Sequence, residues 1–150
     1  NKGNMSHMNK QLDVLKEQVY ILTNMTVENL EDLYQNTGKH ARELGIEIHL
    51  EGEGPKNSTY RLLLDRVVRE CVTNCARHAH GSDVNVSIEE DSEAYNIWIT
   101  NNGELPNPKA REGGGLSSLR RALESEGCTM VTVFEPAFCL RLRMPKRQSE

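Results

Sequence analysis

The chain has 150 residues, 37% hydrophobic and 27% charged, a mixture that fits one soluble globular domain burying roughly two thirds of its unfolded surface. Lysine and arginine total 18 against 22 acidic residues, so the net charge of -4 gives no electrostatic ground for nucleic acid as a main partner. No apolar run approaches the roughly 20 residues that span a bilayer, and nothing at the amino end resembles a signal peptide; Cys71, Cys75, Cys128 and Cys139, without paired C-x-x-C spacing, point to reduced thiols in a cytoplasmic setting.

Residues 1–8 are polar and carry Ser6-His7-Met8, which reads as a cloning remnant and makes His7 a poor functional candidate. Over 9–25, Leu12, Leu15, Val19 and Leu22 recur at spacings of three and four, which predicts one helical stripe. That stripe fits a helix packed on its own domain and the tail of a dimerisation hairpin equally well. The domain proper is assigned to 26–150. A second helix over 27–44, with Leu30, Leu33 and Ala41 inward, stops at Gly45. Ile46, Ile48 and Leu50 then alternate with Glu47, His49 and Glu51 in a half-buried strand that runs into the turn Gly52-Glu53-Gly54-Pro55.

The longest helical pattern covers 59–80 and is expected to end at Gly81. Strands over 83–90 and 94–101 read as a hairpin turning at Asp91-Ser92-Glu93, since Val84, Val86 and Ile88 alternate, as do Tyr95, Ile97 and Ile99. Four glycines and two prolines mark 102–115 as loop. A helix over 116–126 and strands over 129–134 and 139–144, joined at Glu135-Pro136, complete the order. The fold class that follows is a two-layer α/β (α+β) sandwich, with a mixed, mostly antiparallel sheet of about five strands covered on one face by helices.

Three local features carry chemistry. Glu70, Asn74 and Arg77 stand at i, i+4 and i+7 on one stripe of the long helix, flanking its apolar face, so they can act on one ligand. Asn101-Asn102-Gly103 runs a strand straight into a glycine turn. Gly113-Gly114-Gly115-Leu116 opens a helix, where unpaired backbone N–H groups and the positive dipole end suit phosphate oxygens. Each alone is ordinary: a solvated edge, a turn, a hinge. Cys71, Cys75, His78 and His80 also have metal-like helical spacing, but their overlap with the apolar arc favours core packing.

The three features in this order resemble the GHKL superfamily, which also holds gyrase. Residues 69–79, Arg-Glu-Cys-Val-Thr-Asn-Cys-Ala-Arg-His-Ala, look like the N box of sensor histidine kinases. Asn101-Asn102-Gly103 and Gly113-Gly114-Gly115-Leu116 sit where that family has its two glycine boxes, and the likeness extends over roughly 27–145. Glu-x-x-x-Thr-Asn followed by Arg-His-Ala resembles the short-lid branch that contains nitrate and membrane-fluidity sensors.

The resemblance implies a Bergerat-type catalytic domain of a two-component histidine kinase that transfers the γ-phosphoryl group of ATP to a histidine outside this segment. On that implication Asn74 coordinates Mg, Glu70 is catalytic as a base or as the group orienting a metal-bound water, and Arg77 and His78 lie near phosphate oxygens. Asn101, Gly103, Gly113, Gly115 and Leu116 line the nucleotide, Ser117 and Ser118 add hydroxyl contacts or only cap the helix, and Arg120 and Arg121 are solvent-exposed. Mg and ATP are the implied cofactors. The implied partners are the protein's own dimerisation and phosphoacceptor domain and a response regulator, in a homodimeric, membrane-anchored parent with this part in the cytoplasm.

The sequence departs from the family in four places. Asn101 stands where the family has an adenine-reading aspartate, and Asn102 substitutes only if the turn shifts register. Leu105 replaces the usual second glycine, the lid up to Gly113 is short and stiffened by Pro106 and Pro108, and Ala137-Phe138-Cys139 replaces Gly-Thr. Weakened but retained ATP binding is the expectation. His40, His49, His78 and His80 are all misplaced for a phosphoacceptor, and His40 is expected at the surface. Two other functions share the pattern: a degenerate module that senses nucleotide or holds a partner, and an anti-sigma-factor-like serine kinase.

Overall fold

The structure is a computed structural model that describes residues 30–104 and 114–147, with side chains over 36–104 and 115–147. The residues 1–8, the helix expected over 9–25, and the lid with Gly113 lie outside the described residues.

Helix α1, Leu30–Glu43, ends as its glycine signal requires: Gly45 takes φ 76° and the Ile46 N–H donates to the Ala41 carbonyl at 2.8 Å. Strand β1, Glu47–Glu51, follows. Helix α2, Ser58–Asn74, starts at a cap the hydrophobic periodicity does not reveal, Asn57, whose Oδ1 accepts the Tyr60 N–H at 2.8 Å. Its inward face, Leu64, Val67, Val68, Cys71 and Val72, is at most 1% exposed. Each such aliphatic contributes about 1.5–3 kcal/mol by leaving water.

The hairpin β2, Asp83–Glu90, and β3, Ala94–Asn101, turns on Asp91, whose Oδ1 accepts the Glu93 and Ala94 N–H groups at 2.7 and 2.8 Å. Helix α3, Gly114–Ser125, then leads to β4, Thr129–Val133, and β5, Cys139–Pro145. The sheet runs β1-β2-β3-β5-β4, with β1 parallel to β2 and the remaining neighbours antiparallel. The parallel pair follows from the α2 crossover between its strands. Val84, Val86, Ile97, Ile99, Leu140 and Leu142 face the helices and close the core, while Ser87, Asn96, Trp98 and Arg141 lie on the uncovered face. Tyr60 ties the helix layer to the last strand through its hydroxyl, which donates to the Pro145 carbonyl at 2.6 Å.

Three expectations change. The helix expected to run to residue 80 is α-helical only to Asn74; Cys75–Ala79 forms one π turn closed by the His80 N–H on the Cys75 carbonyl. The left-handed residue that ends it is His80, at φ 49° and ψ 35°, rather than Gly81. Arg120, expected in solvent, is half-buried and its guanidinium donates to the Met130 carbonyl, joining α3 to β4; Arg121 is exposed as expected.

Helices α1 and α2 are joined by a buried polar pair. Thr37 is fully buried and its hydroxyl donates to Asp65 Oδ1 at 2.5 Å. Burial pushes the Asp65 carboxyl above its ordinary range, against the opposing pull of the Thr37 hydroxyl and of Arg69 and Arg66. The folded chain therefore keeps this proton at a pH where the unfolded chain has lost it, so the Asp65 contribution is full below the unfolded value and is lost as pH rises through the raised one. Asp65→Asn is expected to remove that acid-side slope from urea unfolding midpoints measured at stepped pH, while keeping the acceptor for Thr37. Thr37→Val leaves a buried carboxylate oxygen short of a donor and is expected to cost about 1–3 kcal/mol.

Candidate functional site

The carboxyl end of α2 and its π turn, the end of β3, and the start of α3 meet at one end of the sheet. Glu70, on the last full turns of α2, is half-buried, and its carboxylate lies directly against Gly115 in the first turn of α3. A Cβ on Gly115 would fall on that carboxylate, so any side chain there would displace the end of Glu70 from the start of α3. A carboxylate beside the first turn of a helix is also favoured by the dipole. Leu116, next along, is 3% exposed and anchors this helix start in the core. Ser117 is half-buried and Ser118 exposed.

Asn74 is half-buried at the junction of α-helix and π turn. The widened turn removes Arg77 from a strict i+7 stripe, and both Arg77 and His78 are exposed beyond the junction. The carboxylate and amide oxygens of Glu70 and Asn74 are hard donors of the kind that suit a small divalent cation.

Asn101 and Asn102 do different work because a strand alternates its faces. Asn101 pairs with Val84 and so falls on the helix side of the sheet, with Ile99 and Ile97. Asn102 turns the other way, where its Oδ1 accepts the Ser82 and Asp83 N–H groups at 2.8 and 2.9 Å and its Nδ2 donates to Ser82 Oγ and Asp83 Oδ2 at 3.0 and 3.1 Å. The Asn102 amide is thus consumed in a clamp on the start of β2 and is not available as a substitute for Asn101. Gly103, at φ 104°, brings the chain back so closely that a Cβ would meet the Ala79 carbonyl; the next residue, Glu104, donates its N–H to that same carbonyl at 2.7 Å. Cys75 forms the floor below, with its Sγ 3.8 Å from the Asn102 carbonyl and 3.9 Å from that of Asp83.

Burial raises the thiols of Cys71 and Cys75, which keeps them protonated and inert. Cys71 and Cys75 are buried while His78 and His80 are exposed, so the metal-like spacing reads as core packing. His40 is half-buried, with Nε2 3.4 Å from Thr73 Oγ1 at the α1–α2 contact. The Ser82-Asp83 clamp and the π turn are the parts of this site that no local sequence pattern signals. Phe138 is buried against Phe134, ring centroids 5.8 Å apart, directly before β5.

No protein-family model matches the sequence, and no curated protein matches it. Solved structures do match in shape. The Acinetobacter baumannii histidine kinase AdeS superposes with a TM-score of 0.60 at 13% identity, over 94% of this chain and 83% of that one. The blue-light activated histidine kinase EL346 of Erythrobacter litoralis gives 0.67 at 14% identity, over 92% of this chain and 56% of its own length. The catalytic domain of histidine kinase ThkA gives 0.59 at 19% identity, over 79% of this chain and 90% of that domain. At these identities the likeness is one of fold: the chain has the α+β fold of histidine kinase catalytic domains. No helix among the described residues is long and apolar enough to cross a membrane.

Proposed function

We propose that this chain is the catalytic and ATP-binding domain of a GHKL sensor histidine kinase, binding Mg-ATP and passing the γ-phosphoryl group to a histidine on a dimerisation helix outside the segment. The observation that carries the reading is the convergence of three separated motifs: Glu70 of the N box lies against Gly115 of the second glycine box, and Glu104, directly after the first glycine box, is hydrogen-bonded to Ala79 at the end of the same N-box helix. Shared fold supports the class of protein, while the site residues support the chemistry.

In this reading Asn74 would supply the oxygen donor for Mg, which when bound offsets the charge of the phosphates, and Glu70 would act as a base or orient a metal-bound water. The backbone at the start of α3 presents N–H groups to phosphate oxygens, and Gly115 keeps that approach open. Arg77 and His78, exposed at the rim, meet charge developing on the transferred group. Asn101 accepts the adenine amino hydrogen from the helix side of β3. A response regulator and a homodimeric, membrane-anchored parent with this domain in the cytoplasm belong to the same proposal.

Asn101 also sets the expected affinity. A neutral acceptor gives about 0.5–1.5 kcal/mol where a charged one gives about 1.5–3, so Asn101→Asp is expected to tighten ATP binding about fivefold in calorimetric titration. The function is tested by supplying a phosphoacceptor helix in trans with γ-labelled ATP. Label on histidine supports the proposal. Label on serine supports the serine kinase, and nucleotide binding with no transfer to any acceptor supports a degenerate sensing module.

A further inference from the structure

Glu47 and His49 stand one pleat apart on β1, the edge strand, and the parallel register sets Glu47 beside Asp83 of β2. Because Ile48 and Val84 face the core, all three polar side chains share the sheet face that the helices leave open. One ligand atom from each lies within 4.8 Å of the others, and His49 Nε2 is 2.9 Å from Asp83 Oδ1. We propose that Glu47, His49 and Asp83 form a binding site for a borderline divalent transition ion of the Zn²⁺ type, on the opposite face of the sheet from the nucleotide site and independent of the function proposed there.

Bonds of 2.0–2.2 Å to nitrogen and carboxylate oxygen set neighbouring ligand atoms roughly 3–3.5 Å apart, so the His49–Asp83 pair already has nearly the spacing of two ligands on one ion. Glu47 is exposed and its carboxylate has no hydrogen bond or ion pair among the described residues, so it is free to swing onto the same ion. Asp83 is oriented from behind: its Oδ2 accepts from Ser82 Oγ at 2.6 Å and from Asn102 Nδ2 at 3.1 Å, which leaves Oδ1 directed at His49. Such outer hydrogen bonds fix ligand carboxylates in metal sites. One imidazole with two carboxylates suits Zn²⁺, Co²⁺ or Ni²⁺ over Mg²⁺, which prefers all-oxygen octahedral surroundings. Three protein ligands on an open face leave the outward positions to water.

The test is a Zn²⁺ titration of the full 150-residue chain by calorimetry, in a His7→Ala background and in 1 mM Mg²⁺ at roughly tenfold excess or more over Zn²⁺. One Zn²⁺ per chain is expected, with affinity falling at least about tenfold in both His49→Ala and Glu47→Gln. Both positions are exposed, so circular dichroism of the variants should match the parent. Co²⁺ in place of Zn²⁺ should give visible absorption bands that His49→Ala loses. Equal Zn²⁺ affinity in parent and His49→Ala, or loss of the Zn²⁺ signal to competing Mg²⁺, overturns the site; affinity unchanged in Glu47→Gln overturns the three-ligand assignment.

Discussion

Gly103→Ala is expected to destabilise the domain by roughly 2–6 kcal/mol. Two costs combine. A non-glycine residue at φ 104° carries strain of about 1–3 kcal/mol. The added Cβ also runs into the Ala79 carbonyl oxygen and the Gly81 backbone, and forced overpacking typically costs about 1–3 kcal/mol. Ala79 cannot turn away without losing the N–H of Glu104, held at 2.7 Å. The same substitution at Gly38, inside α1 with open space around it, should have the opposite sign and gain about 0.5–1 kcal/mol from helix propensity. Urea unfolding of both variants against the parent gives the comparison. A Gly103→Ala loss under about 1 kcal/mol would mean that the turn relocates and that the link between β3 and the π turn is not fixed by this glycine.

Much of the fold was readable because burial imposes a period. Leu64, Val67, Val68, Cys71 and Val72 announce one face of α2, and Val84, Val86, Ile88 with Tyr95, Ile97, Ile99 announce two strands that bury one side. The hairpin turn was readable because Asp91 is a residue whose side chain closes such turns. The candidate site was readable as three motifs in order, but not as a geometry. That Asn102 points away from the helix side of the sheet depends on the β2–β3 register, which ends in Val84 opposite Asn101. The π turn shifts Arg77 off its stripe through a single wider ring, and composition is silent about ring size. His49 and Asp83 are 34 positions apart, and only the parallel β1–β2 pairing, set by the α2 crossover, joins them. Arg120 is expected in solvent but is half-buried, because a long side chain on a helix surface looks the same in sequence whether it meets solvent or a neighbouring strand's carbonyl.

Asn74→Ala is the variant expected to have the largest effect on ligand binding. Asn74 closes the α-helical part of α2 and is half-buried, its side chain making no cap hydrogen bond at the junction with the π turn, so its loss should leave folding nearly intact. Alanine also suits the helix better than asparagine, by several tenths of a kcal/mol. An oxygen ligand contacting a charged partner is worth on the order of 2 kcal/mol, which corresponds to roughly thirtyfold in affinity. Calorimetric titration with ATP in the presence of Mg²⁺ should therefore weaken about thirtyfold in Asn74→Ala, whereas titration without Mg²⁺ should change little, because the adenine contact proposed for Asn101 and the backbone at Gly115 are untouched. The Mg²⁺ dependence separates the two roles open to this residue. A cation ligand loses the Mg²⁺ increment alone; a residue that only shapes the helix end loses binding equally with and without the ion. Equal loss in both titrations, or Mg²⁺-dependent binding that survives in Asn74→Ala, would move the cation to another oxygen donor, for which the Glu70 carboxylate beside Gly115 is the nearest candidate.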